Sequence, residues 1–133
     1  MSELGARRHH ARERALEILY EAAIKDRPLE AVLAGLTVPP DDYATMLVRA
    51  AESSRERADA LIEQNSHDWA LERLALIDHL IMRLALGEWW SDDAPPTAVI
   101  LDEAVELATT YSTDGSGAFV NGVLAACVAG GSR

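Results

Sequence analysis

Apolar residues recur at intervals of three and four along nearly the whole chain, and nowhere do they alternate with period two for long enough to build a strand. That restricts the chain to an all-α architecture. Ala11, Ala15, Ile18, Leu19 and Ala22 line one face of a first helix. Pro28 suits the first turn of a short second helix reaching Leu36. Asp41 or Asp42 caps a long third helix running to about residue 65, with Tyr43, Leu47, Ala50, Ser54, Ala58, Leu61 and Ile62 inward. Ser66-His67-Asp68 reads as a turn and cap before a short helical stretch from Trp69 to Leu74. Further helices are expected from Leu76 to Trp90, from Thr97 to Tyr111, and from Ala118 to about residue 129. Ser91 to Pro96 and Ser112 to Gly117 are the clearest loops. The expected fold is a compact bundle of six to seven helices in two packed subdomains, about residues 7–65 and 66–130 of a single domain.

Charge is unevenly placed. The chain of 133 residues carries a net charge of −10, yet Arg7, Arg8, Arg12 and Arg14 fall within its first fourteen residues. That segment sums to +2 and the remainder to −12. A basic tip on an acidic body implies one local anion site and repulsion of polyanions elsewhere. On a helix, Arg8 and Arg12 lie one turn apart, as do His10 and Arg14, which predicts a cationic stripe opposite Ala11, Ala15 and Ile18. Guanidinium suits phosphate because its fork is planar, permanently charged and bidentate. A solvated, frayed terminus is the alternative reading of the same residues.

The second candidate is the turn before the last helix. Ser112, Thr113, Asp114 and Ser116 are good N-cap types, and free N–H groups at a helix start can hold a phosphate. Asn121 reads either as a base-edge contact or as a tie between this turn and a neighbouring helix. Arg83, among apolar residues, reads as an internal ion-pair partner, with Glu103 and Glu106 as candidate acceptors. Trp89-Trp90 reads as core and rim packing, with self-association as the alternative. Cys127, the only cysteine, admits no internal disulfide and is expected to be a small buried apolar residue. No catalytic dyad, phosphate loop, metal-ligand spacing or nucleophile elbow occurs, so no enzyme, metal or cofactor is expected. No apolar run reaches membrane-span length, and the Arg-bearing start lacks the apolar stretch of a signal peptide, so a cytoplasmic protein is expected.

Several segments, in order, resemble the NusB family of transcription antitermination factors. They are Arg7-Arg8-His9-His10-Ala11-Arg12-Glu13-Arg14-Ala15 with Leu19-Tyr20; Trp69 to Leu74 followed by Asp78, Met82-Arg83-Leu84-Ala85 and Glu88; Val99 to Ala108, with Asp102-Glu103-Ala104-Val105-Glu106-Leu107; and Phe119-Val120-Asn121-Gly122-Val123-Leu124. The resemblance implies an all-helical fold of two small bundles. It implies binding of boxA-type single-stranded RNA on ribosomal RNA transcripts, jointly with the ribosomal protein NusE in an antitermination complex. It implies RNA contacts from Arg7, Arg8, His9, His10, Arg12, Arg14, Ser116, Phe119 and Asn121, with Phe119 stacking on a base. Tyr20 and Asp78, flanked by Glu88, align with positions that face the protein partner. The chain departs from the pattern at His9 and His10, at Gly115 and Gly117, and in its acidity. The acidity and the two histidines keep a second reading open: a helical protein-interaction scaffold that has lost RNA binding and acts through protein contacts or self-association. Whether the chain forms a homodimer is left open.

Overall fold

The computed structural model describes residues 2–67 and 69–133, and the expected turn and cap at Ser66 to Asp68 lies partly outside them, at Asp68. Seven α-helices are present among the described residues, with no strand: α1 (Glu3–Lys25), α2 (Leu29–Ala34), α3 (Asp42–Ser53), α4 (Arg55–Asn65), α5 (Leu76–Trp89), α6 (Thr97–Tyr111) and α7 (Ser116–Gly130). One 3₁₀ turn, Leu71–Arg73, replaces the short helix expected from Trp69 to Leu74.

Local chemistry sets the boundaries. Helix α1 starts far earlier than its apolar pattern suggests, because the Ser2 hydroxyl accepts the N–H of Gly5 at 2.9 Å and caps it. It ends at Asp26, in the left-handed region at φ 50°, ahead of Pro28. Asp41 caps α3 by accepting from the N–H of Ala44 at 2.7 Å. The single long third helix expected to residue 65 is two helices. Ser54 leaves helical geometry (φ −98°, ψ 8°), and its hydroxyl donates to the carbonyl of Ala50 at 2.7 Å. A serine pair drawing on the preceding turn is a common cause of a kink. The break frees α4 to pack on α5 and α7.

Helix α5 lies at the centre, against α1, α3, α4, α6 and α7. Its residues Ile81, Met82, Leu84 and Leu86 are fully enclosed, with Leu47, Ile62 and Leu124 from its neighbours. Gly87 allows α5 to cross close over α3: a Cβ there would sit 2.9 Å from the backbone nitrogen of Ala51. The obstacle is backbone, so Gly87→Ala must push α3 and α5 apart. An expected loss of about 1–3 kcal/mol would be read from the denaturant midpoint. Cys127 is buried, and burial pushes its thiol up to about 11. No helix among the described residues is long and apolar enough to cross a membrane.

Candidate nucleic-acid interface

Helix α1 divides its arginines between two tasks. Arg7 is exposed, and Arg8 and Arg14 are half-buried. Among the described residues none of these three enters an ion pair. Arg14 Nη2 donates to the carbonyl of Val38 at 2.6 Å. The Arg8 guanidinium carbon lies 4.9 Å from the centre of the Tyr43 ring. The Nε atoms of Arg8 and Arg14 are buried without a hydrogen-bond partner.

Arg12 corrects the expected stripe. It shares the inner face with Ala11, Ala15, Leu16 and Leu19 and is 3% exposed. Its Nε and Nη2 donate to the two oxygens of Glu88 at 2.8 and 2.7 Å, and Nη1 donates to Glu103 at 2.7 Å. Burial by itself would lower the Arg12 pKa; the Glu88 bonds and the two carboxylate charges more than offset it, and the pKa is raised. Arg12 is therefore an internal tie between α1, α5 and α6, its guanidinium enclosed and each of its three nitrogens bonded to a carboxylate. Glu88, 1% exposed, is enclosed in the same network and does not face a partner as expected.

His9 is held in an acidic corner. Its Nδ1 donates to Glu103 Oε2 at 2.9 Å, while Nε2 lies 3.6 Å from Glu13 and 3.9 Å from Glu106. The Glu103 hydrogen bond raises the His9 pKa, burial opposes it, and the charges of Glu103, Glu13 and Glu106 add to the rise. His10 is exposed, with Nδ1 3.2 Å from Glu13. The ligating atoms of His9, Glu103 and Glu106 lie within 4.8 Å of one another, as a metal site would require. However, Arg12 and His9 already engage both oxygens of Glu103. Because the folded-state His9 pKa lies above its ordinary 6.5, its contribution to stability is complete below that value and is lost as pH rises through the folded value. The melting-temperature gap between the native chain and His9→Gln should therefore be wider at about pH 5.5 than at about pH 8. A gap independent of pH would exclude this link. His79, whose pKa burial lowers despite its bond to Asp59, contributes with the opposite sign in both proteins and cancels from the gap.

The second surface forms around Phe119. Tyr111 ends α6 and donates to Glu13 of α1 at 2.6 Å, which lowers the Glu13 carboxyl and pushes the phenol up to about 12. The next residue, Ser112, opens the turn into α7, so this turn begins beside the basic helix. The expected capping does not occur. Gly115 occupies the N-cap position of α7 at φ 87°, and no side chain caps the helix. Ser112 and Ser116 instead donate to the two oxygens of Asp78, at 2.6 and 3.0 Å. Ser116 is buried, so its hydroxyl ties the turn to α5 and is not presented to RNA. Asp78, 6% exposed, anchors the turn and does not present its carboxylate to a partner as expected. Phe119 is half-buried beside a cavity of about 360 Å³ that also meets Trp69 and Arg73. Trp69 is 52% exposed, an unusual surface for so large a ring, and it joins Phe119 only through the fold. Asn121 is exposed on another cleft, with Asp102, Glu106 and Gly117. Tyr20 is 40% exposed, on the outer side of α1.

Arg83 is an internal ion-pair partner, as expected, but of Asp59 at 2.8 and 2.7 Å rather than of Glu103 or Glu106. Burial would raise the Asp59 carboxyl; its bonds to Arg83 and His79 lower it.

The fold and its basic edge define the class, an all-helical binding protein. The chain belongs to the NusB family, whose sequence profile matches residues 9–129 and whose members are non-enzymatic, RNA-binding transcription factors. The transcription antitermination protein NusB of Saccharopolyspora erythraea is 42% identical over 128 residues, covering 91% of this chain and 85% of that protein. The solved structure of Thermotoga maritima NusB superposes with a TM-score of 0.83 at 30% identity, covering 95% of this chain and 93% of the other. A structure of the antitermination factors NusB and NusE in complex with double-stranded RNA gives a TM-score of 0.76 at 25% identity, covering 92% and 96%.

Proposed function

We propose that this chain is a cytoplasmic transcription antitermination factor that binds boxA-type single-stranded RNA of ribosomal RNA transcripts together with the ribosomal protein NusE. The observation that carries the reading is the set of arginines that enter no ion pair among the described residues, Arg7, Arg8 and Arg14, on one terminal helix of an acidic body. They supply phosphate contacts, with His10 beside them. Trp69 and Phe119 supply rings on which unpaired bases stack, which favours a single strand over a duplex. Arg73 neutralises backbone at the same place, and Asn121 reads a base edge. Tyr20 gives the protein partner ring area and a hydroxyl. Two modest surfaces, one for RNA and one for protein, then reinforce each other by linkage.

Fluorescence anisotropy with a labelled boxA-like RNA, with and without NusE and at two salt concentrations, tests this. RNA capture that weakens with salt and tightens with NusE is the expected result. The burial of Arg12 and the acidic enclosure of His9 favour the second reading, a protein-interaction scaffold. NusE binding with no RNA capture at low salt would establish that reading instead.

A further inference from the structure

Tyr43 lies on α3, remote in sequence from every arginine of the basic helix, yet the fold places it against Arg8 and links it through Glu88 to Arg12. Its hydroxyl donates to Glu88 Oε2 at 2.5 Å, and that carboxylate accepts from Arg12 through both oxygens. The phenol is half-buried, and burial together with the Glu88 bond raises its pKa, so it remains a donor at neutral pH. Fixed at one end by a buried ion pair, the ring offers its π system to the Arg8 guanidinium, 4.9 Å away. Nothing else among the described residues holds Arg8 by charge or hydrogen bond, and its Nε is buried without a partner. That Nε is closed to a ligand from outside, so an incoming phosphate would meet the Nη atoms of Arg8, which are not enclosed.

We propose that Tyr43 is a positioning residue for RNA: its ring, anchored through Glu88 to Arg12, holds the Arg8 guanidinium in the orientation that meets phosphate. This rests on the RNA reading above. An arginine side chain has many rotamers, and ordering one on binding opposes affinity. A ring that orders it beforehand removes part of that opposition without adding charge. The buried Arg12 network thus acts on RNA at one remove, by fixing the platform rather than touching the ligand.

The test is a double-mutant cycle on the intact chain with a boxA-like RNA oligonucleotide, with circular dichroism and melting to verify folding. Tyr43→Phe keeps the ring but cuts its tie to Glu88, and should bind between the native chain and the ring-less variant, about twofold to threefold weaker than native. Tyr43→Leu removes it and should weaken binding about threefold to tenfold. Arg8→Ala should then weaken RNA binding clearly in the native background and by no more than about twofold in Tyr43→Leu. Equal effects of Arg8→Ala in both backgrounds would overturn the positioning role while leaving the RNA reading intact. A native chain that captures no RNA would overturn both. If Tyr43→Leu does not fold, the Arg8 Nε–H proton resonance decides: a ring-current shift shared by the native chain and Tyr43→Phe supports the platform, and an unstructured-chain value in the native protein refutes it.

Discussion

Arg12→Ala should destabilise the folded chain by about 3–5 kcal/mol, the largest effect anticipated for any single arginine here. The side chains of Arg12 and Glu88 are 4% and 1% exposed, and that of Glu103 is 11% exposed. Removing the cation leaves the Glu88 carboxylate enclosed, with the Tyr43 hydroxyl as its one remaining donor among the described residues. For a chain of 133 residues each kcal/mol moves the melting midpoint by about 4 °C, so a fall of roughly 12–20 °C is expected by calorimetry. Two further measurements identify the cause. An unpaired buried carboxylate takes up a proton more readily in the folded than in the unfolded state, so the variant should regain stability as pH falls. Adding Glu88→Gln to Arg12→Ala should also recover part of the loss, because the uncompensated charge is gone. A variant as stable as the native chain would remove Arg12 from the account of the core.

The second large effect is on RNA. Arg7→Ala combined with Arg8→Ala should weaken capture of a boxA-like RNA by about tenfold or more at low salt. The slope of log affinity against log salt should become shallower by about 0.7 for each phosphate that is no longer neutralised. Folding should be nearly unaffected, since neither guanidinium joins an ion pair within the described residues. Arg12→Ala serves as the contrast: in the fraction that remains folded it should leave the salt slope unchanged, since its charge is already matched by Glu88 and Glu103. A double variant with the native slope would exclude the basic helix as the electrostatic contact.

Most of the helices were legible because apolar spacing and punctuation agree. The helix expected from Thr97 to Tyr111 occupies those residues, bounded by Pro95-Pro96 on one side and a Ser-, Thr- and Gly-rich turn on the other. The break at Ser54 was not legible, since the apolar period continues through it and the cause is a hydroxyl bonding one turn back. The sites divide similarly. A basic cluster can be read from composition, but which of its members face water cannot. Arg12 and Arg14 look equivalent in the sequence, and the signal that distinguishes them is the apolar company of Arg12 on the inner face. Trp69 joins Phe119 across fifty positions, a proximity that no local pattern encodes.

Periodicity, capping and charge among near neighbours were enough to establish the all-helical class, the approximate course of the helices and the concentration of cations at one end. What each charge meets was settled by the packing of the helices: Arg12 meets Glu88 and Glu103, Arg83 meets Asp59, Asp78 meets the hydroxyls of Ser112 and Ser116, and Arg8 meets the ring of Tyr43. Helix periodicity is a property of a few consecutive residues. The partner of a buried charge, by contrast, is selected by how separate helices come together and by the large penalty for leaving that charge alone.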